Sequence, residues 1–498
     1  MSLKLFELLV WLAAALQLGR CFVASPRGST TVALALLAAS VGLILLQVFF
    51  EGWRKPIVFA AVALLGLCLM PLVLSLLKLP GDGILARLGL AAAGLLLIAS
   101  TASNWLRPAV SYPTPGGEYA VIGQIAFPVL GQSPVGDVPT PDELRHPPPL
   151  LKLWYPAVAP GGSRLLDPAF LAERVAAFGE RGKQLPEPAI RNAPPVDLPS
   201  PAPLLFYFPG WPGVAIESAA LVRELVSHGY YVATIEYPGR QAGMSDARWQ
   251  ALKAELERDF YYGSEARYLE LVEISKDRVR SRARDASAAL TRLAEVAATP
   301  GQVFSGRFDA SRAGFVGFSL GGAVAVQAAN QDPRFITAIN LDGRMWAEGR
   351  ADGANKPMLM INEELAPIDP ALFTADDPDT RYNAIEDQTD GDALLRNLAR
   401  HGGQHVMIAG TQHFNFADLC LTSPLDRIAG RGPIAPLRGY EILHAYVLAW
   451  FDRALRGKTS PLLDSDRSPY PEVTSRYWPT PVRNGVMAPA TSSIDATP

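Results

Sequence analysis

Three runs without a single charge dominate the first fifth of the chain: Thr30–Phe50, Pro56–Leu77 and Leu88–Leu106, of 21, 22 and 19 residues. At a rise of about 1.5 Å per residue, roughly 20 apolar residues cross a hydrocarbon layer about 30 Å thick. All three are therefore expected to be membrane-spanning helices. Leu5–Gly19 is shorter and carries Glu7, but Lys4 and Arg20 at its ends can reach the interface, so a fourth span is expected there. Its exit, Gly19-Arg20-Cys21, lacks the small-residue pattern of a cleavage site, so the segment is read as retained. The short links Glu51–Lys55 and Leu79–Gly83 force neighbouring helices into antiparallel hairpins, and Trp53 and Trp105 fall where interfacial anchors belong. Four spans leave the N-terminus and residues 107–498 on one side. Lys4, Arg54, Lys55 and Arg107 then face Arg20, Arg27, Lys78 and Arg87 across the layer, and this balance assigns no side. The spans hold almost no ionisable group, which a proton or ion path would need, so they read as an anchor.

The remainder is a different kind of chain. Residues 1–106 hold seven basic and three acidic groups, whereas residues 107–498 hold 38 basic and 45 acidic. That acidic balance, with no basic run, argues against nucleic acid as a partner. A hydrophobic content of 49% excludes a disordered or collagen-like chain. Three cysteines, Cys21, Cys68 and Cys420, are too few for a disulfide framework or a cysteine zinc site. The organisation expected is a transmembrane anchor over 1–110, a globular α/β domain over 111–457 and a Pro/Ser-rich, loosely attached tail over 458–498.

Within the globular part, Tyr119–Phe127 and Leu150–Tyr155 read as strands, and the Pro-rich stretches Val138–Pro149 and Pro186–Pro203 as loops. From Pro203 onward short apolar runs alternate with helical patterns. Strands are expected at Leu204–Phe208, Tyr231–Tyr237, Gly314–Phe318, Ile336–Leu341, Met358–Asn362 and Val406–Ala409. Helices are expected at Glu217–His228, Gly321–Asn330 and Tyr440–Leu455, with a long charged helical stretch, broken near Gly263, between Asp246 and Ala298. Alternating β and α elements with fully apolar strands imply a mostly parallel sheet covered by helices on both faces, with ligands at the carboxyl ends of the strands.

One motif sits at such an end. Gly317-Phe318-Ser319-Leu320-Gly321-Gly322 contains G-x-S-x-G between a strand and a helix of small residues, the setting of a nucleophile elbow. A serine hydroxyl is a weak nucleophile until a base takes its proton. Of six histidines, His413 follows the last strand and can reach back over the turn. His146 lies in a Pro-rich loop, His228 and His444 lie on helices, and His401 and His405 flank Gly402-Gly403. The acid that would orient the imidazole belongs between the two in sequence. Asp342 ends one strand and Glu363 and Glu364 follow the next, so spacing leaves both sites open. An oxyanion needs two backbone N–H groups. Leu320 supplies one, and in Phe208-Pro209-Gly210-Trp211-Pro212-Gly213 only Gly210 and Trp211 are candidates for the second, since proline has no N–H.

Three stretches resemble the platelet-activating factor acetylhydrolases of the plasma and intracellular type II kind: Gly317–Gly322, Leu341-Asp342-Gly343-Arg344-Met345-Trp346, and Gly410-Thr411-Gln412-His413-Phe414-Asn415-Phe416-Ala417-Asp418. Leu153-Trp154-Tyr155-Pro156 resembles the family's early strand. The resemblance runs thinly from Tyr119 to Leu455 and leaves out the membrane helices. It implies an α/β-hydrolase fold, a triad of Ser319, Asp342 and His413, and oxyanion donors at Leu320 and Trp211. It also implies calcium-independent removal of short or oxidised sn-2 acyl groups from phospholipids, with no cofactor and no metal. Two departures bear on the pocket: Pro209-Gly210 stands where the family has a His-Gly pair, and Phe318 where it often has histidine before the nucleophile. Bacterial polyester and small-ester hydrolases carry similar motifs, so a general short-chain carboxylesterase or polyester hydrolase is the alternative, and a catalytically inactive membrane-anchored module is another. The expected setting is the bacterial inner membrane.

Overall fold

The computed structural model describes residues 5–23, 30–51, 55–106, 112–127, 149–159, 188–211, 215–236, 254, 261–421 and 431–481. The expectations for Lys4, Arg27, Trp53, Arg54, Arg107, His146 and Pro212 lie outside these residues. So do those for most of 138–149, most of 246–260, residues 186, 187 and 482–498, and the side chains of Lys55 and Trp105. The chain divides into two compact units, one built mainly from residues 1–111 and one from the sheet and its helices.

The first unit contains α1 (Leu5–Val23), α2 (Thr30–Glu51), α3 (Lys55–Leu76) and α4 (Ile84–Leu106). Thr30–Phe49, Ile57–Leu76 and Ile84–Ser103 are long and apolar enough to cross a membrane; α1, which carries Glu7 and Arg20, is not among them. The packing is the reverse of a soluble bundle. Small side chains line its interior (Ala14, Ala60, Ala61, Ala63 and Ala93 are buried), while Leu45, Phe49, Leu76, Leu88, Leu95 and Ile98 are exposed. Small residues let helix backbones approach closely where lipid offers no hydrophobic drive between helices, and that much outward apolar surface marks a surface meant to be covered. Trp11 Nε1 donates to Thr101 Oγ1 at 3.2 Å, and Ser40 Oγ donates to the carbonyl of Leu36 at 2.8 Å.

The second unit is built on a ten-stranded sheet among the described residues. Its strands are β1 (Ile122–Phe127), β2 (Leu150–Pro156), β3 (Ile190–Arg191), β4 (Ala202–Phe208), β5 (Tyr231–Glu236), β6 (Phe308–Phe318), β7 (Phe335–Leu341), β8 (Met358–Asn362), β9 (Gly403–Ile408) and β10 (Val473–Trp478), in the order β10-β9-β8-β7-β6-β4-β5-β2-β1-β3. The six strands from β5 to β9 run parallel, while β2 and β10 join them antiparallel on either side. Every residue of Leu204–Phe208 is buried, as the double covering of a parallel sheet requires. One face packs on α6 (Glu265–Ala298), α7 (Leu320–Gln331) and α8 (Pro378–His401), through Val279, Leu290, Val324 and Leu398. The other packs on α5 (Ala219–Ser227) and α9 (Pro436–Arg456), through Leu225, Ile442, Val447 and Trp450. With a mostly parallel sheet sheathed on both faces, the fold is that of an α/β-hydrolase.

Three elements differ from the sequence reading, the first being β3, which forms at Ile190–Arg191 inside the Pro186–Pro203 stretch expected as a loop and pairs with β1. The stretch after Thr459, expected as a loosely attached tail, contributes β10, whose residues pair with β9 from Val473↔Ile408 to Trp478↔Gly403. The reason is a buried acceptor: Gln404 Nε2 donates to Ser475 Oγ at 2.7 Å, and Gln404 is fully buried. The helix α8 had not been expected at all. Pro378 opens it behind Asp377, whose carboxylate accepts the Thr380 N–H at 2.9 Å, and its apolar stripe is thin.

Candidate active site

The elbow forms at the carboxyl end of β6. Ser319 has φ +54° and ψ −121°, a backbone that side-chain-bearing residues rarely adopt. Its N–H donates to Leu341 O at 2.8 Å, and its carbonyl accepts from Gly322 N–H at 2.9 Å. A Cβ on Gly317 would stand 1.9 Å from the carbonyl oxygen of Gly321, and one on Gly321 2.1 Å from that of Phe208. A Cβ on Gly322 would meet Asn340 Oδ1 at 1.9 Å. The glycines of the motif are thus imposed by the turn itself.

Asp342 lies just past β7, also left-handed at φ +54°. Its N–H donates to Ile361 O at 2.8 Å. Oδ1 accepts from Glu363 N–H at 2.9 Å and Asn362 Nδ2 at 3.1 Å, which leaves Oδ2 to accept from His413 Nδ1 at 2.6 Å. His413 Nε2 lies 3.0 Å from Ser319 Oγ. An ionised carboxylate only accepts, so the ring proton sits on Nδ1 and Nε2 is free to accept from the serine. The turn bearing His413 is tied by Asn415, whose Oδ1 accepts from Gln412 N–H at 2.9 Å and Gly432 N–H at 2.7 Å.

The other acid candidates do other things. Glu364 Oε2 accepts from Gly410 N–H at 2.8 Å. Glu363 lines the cleft, and its carboxyl is pushed up to about 7, first by burial and then by Asp342. Among the other described histidines, His405 Nε2 pairs with Asn362 Oδ1 at 2.9 Å, and burial drives its ring down to about 4. His228 pairs with Glu224 at 2.9 Å.

Of the candidate oxyanion donors, Leu320 opens α7, where a helix's first N–H groups lack intrahelical partners. Gly210 lies against the elbow, its Cβ position 3.2 Å from Ser319 Cβ, but its N–H donates to Glu217 Oε1 at 2.5 Å. The Trp211 ring lies under the Arg278 guanidinium at 3.8 Å. Nothing in the sequence pattern had singled out Glu217 or Asn362, because each acts through a fold-dependent contact with a backbone group or a neighbouring side chain; Asn415 stood in the quoted Gly410–Asp418 stretch, but without a role.

Beside Ser319 opens a cleft of about 460 Å³. Met345, Trp346, Met360, Leu394 and Leu395 give it apolar walls, and Asp387 and Asp390 stand at its charged end. There Arg344 reaches Asp387 at 2.9 Å, and Arg350 reaches Glu386 at 2.6 Å and Asp390 at 2.9 Å.

Relatives agree with this architecture. A platelet-activating factor acetylhydrolase from Cavia porcellus is 27% identical over 175 residues, which cover 32% of this chain and 40% of that protein. A probable 1-alkyl-2-acetylglycerophosphocholine esterase from Arthroderma benhamiae is 26% identical over 176 residues, 33% of this chain and 43% of its own. The matched stretches thus span less than half the length of these curated relatives. The solved structure of a ferulic acid esterase from Streptomyces cinnamoneus superposes with a TM-score of 0.54 at 25% identity, over 74% of this chain and 99% of that one. The profile of the family described as platelet-activating factor acetylhydrolase, isoform II, matches residues 182–459, more than half of the chain, and the protein belongs to that family.

Proposed function

We propose that the protein is a membrane-anchored serine ester hydrolase that releases short sn-2 acyl groups from phospholipids. The observation that carries the reading is the unbroken chain Ser319 Oγ, His413 Nε2, His413 Nδ1, Asp342 Oδ2, at 3.0 and 2.6 Å. In this reading Ser319 Oγ attacks the ester carbonyl while His413 Nε2 takes its proton. Asp342 holds the imidazole in the required tautomer and steadies its charge. The developing oxyanion rests on the N–H groups of Leu320 and Trp211. The alcohol leaves with the proton from Nε2, and water, activated by the same nitrogen, hydrolyses the acyl-enzyme. No step calls for a cofactor, a metal or calcium.

Short acyl groups suit a cleft whose apolar walls are interrupted by Asp387, Asp390 and Arg344, because placing methylenes against charges that need solvation is costly. The three apolar helices supply the anchor, in the bacterial inner membrane. Likeness to a ferulic acid esterase favours one second reading, a general short-chain carboxylesterase, to which a polyester hydrolase would also belong.

Labelling by a fluorophosphonate tests the nucleophile: wild type should react and Ser319→Ala should not. An ester series then tests the substrate class. Acetyl and butyryl esters should be cut much faster than palmitoyl esters, with no change in EDTA. Activity on p-nitrophenyl acetate but none on a short-chain sn-2 phospholipid would select the carboxylesterase. Absence of labelling and turnover would leave an inactive binding module.

A further inference from the structure

The Phe208–Trp211 turn lies flush against the nucleophile. A Cβ on Gly210 would meet the Phe318 ring at 3.1 Å and Ser319 Cβ at 3.2 Å. Such a turn can present a backbone N–H to a tetrahedral intermediate only if its peptide planes are fixed, because a peptide left to rotate would point a carbonyl oxygen at the oxyanion. Pro209 has no N–H to give. The N–H of Gly210 is taken by Glu217. That leaves Trp211, whose ring is itself held from α6 by Arg278 at 3.8 Å, with Arg282 at 5.0 Å.

Glu217 is mounted firmly enough to set the turn. It precedes Ser218, whose hydroxyl accepts from Tyr207 OH at 2.5 Å. The next helix, α5, is tied at its start by Asp418, which accepts from Ala220 N–H at 3.1 Å and from Tyr440 OH at 2.7 Å. A carboxyl set beside the buried Tyr207 and Asp418 is expensive to desolvate. If the site needed only to be filled, an apolar side chain would fill it more stably.

We propose that Glu217 is a positioning residue for the oxyanion hole: by accepting the Gly210 N–H it fixes the turn so that the Trp211 N–H is directed to the oxyanion. This rests on the ester-hydrolase reading and assigns within it a role to a side chain that touches no substrate. Burial raises the Glu217 carboxyl to about 8, so near neutral pH it is a neutral acid, close in shape to a glutamine, and sets no negative charge beside the oxyanion.

The full-length protein, assayed with p-nitrophenyl acetate, tests this through two substitutions. Glu217→Gln keeps the acceptor; Glu217→Met keeps the length and removes it. Loss of an oxyanion donor typically costs 10²–10³ in turnover. A donor displaced rather than deleted should cost about ten- to a hundredfold, so kcat of Glu217→Met should fall by that much while KM stays within about threefold. Glu217→Gln should recover kcat to within about threefold of wild type. Melting curves screen both variants. If Glu217→Met does not fold, Glu217→Asn, one methylene too short to reach Gly210, takes its place with the same expected loss. The proposal is overturned if the acceptor-free variant keeps kcat within threefold, if glutamine loses as much as methionine, or if the loss appears in KM alone. Failure of the ester-hydrolase reading would look different: wild-type turnover no greater than that of Ser319→Ala.

Discussion

The acid shows what a residue's surroundings add to its place in a sequence. Asp342 and Glu363 each follow a strand, and spacing treats them alike. In the fold, Asp342 turns one oxygen to His413 while Glu363 donates its backbone N–H to the other. That Ser319 sits on the strand-to-helix turn and His413 just past β9 was legible, because the turn and the chain order constrain them; the contact of Glu217 was not, since its partner is a backbone amide seven residues back. Removing a triad carboxylate costs about 10⁴ in turnover. Asp342→Asn should lose that much on a short ester while folding normally, whereas Glu363→Gln and Glu364→Gln should each lose less than about tenfold. A collapse in either glutamine variant with a near-normal Asp342→Asn would move the acid to β8. Glu217 also leaves a thermodynamic trace. Its ordinary value is 4.5 and burial raises it to about 8, helped by Asp418, itself raised to about 7 by burial. Between those limits the folded chain holds a proton that the unfolded chain has released. Stability from this group is therefore full at low pH and falls as pH climbs towards 8. His405 and His444, kept neutral by burial, act in the opposite sense at lower pH, so the useful readout is a difference. The melting temperature of Glu217→Gln relative to wild type should rise steadily from pH 5 to pH 8, and a flat difference would refute the neutral acid.

At the scale of elements, the parallel strands were the most legible part. Runs such as Met358–Ile361 are apolar throughout because both faces are covered, and their shortness sets them apart from the long apolar helices near the N-terminus. Elements that the fold keeps at its margins were missed. Helix α8 turns most of its residues outward, so its periodicity is weak, and β10 owes its place to a partner strand about seventy residues earlier. That partnership can be weighed. A chain ending at Pro471 loses the β9 ladder and leaves Gln404 with a buried amide missing one acceptor. With each buried hydrogen bond worth about 1 kcal/mol net, the melting temperature should drop by several degrees. An unchanged melting temperature would mean the edge strand contributes nothing to the sheet.

For the whole molecule, the division was written in charge. One stretch of about a hundred residues is nearly without ions, with three helices long and apolar enough to cross a membrane, and the other carries an ordinary complement. Which side of a membrane the sheet unit faces is not written there, because the flanking cations balance. Ser319, Asp342 and His413 all belong to the sheet unit. A protein beginning at Ser111 should therefore be soluble and should hydrolyse p-nitrophenyl acetate at a rate close to that of the full chain in detergent. A folded but inert product, by circular dichroism, would give the helices a share in the site.

The left-handed backbone at Ser319 means that the proposed nucleophile is held at a cost to the fold's own stability. A conformation suited to glycine costs a side-chain-bearing residue about 1–3 kcal/mol. The looser unfolded chain of a glycine variant returns only about 0.5–1 kcal/mol of that. Ser319→Gly should thus withstand heat better than the active protein, by roughly 2–4 °C for each kcal/mol released. Heat alone, acting on a mixed population of the two, would spare the silent copies longest.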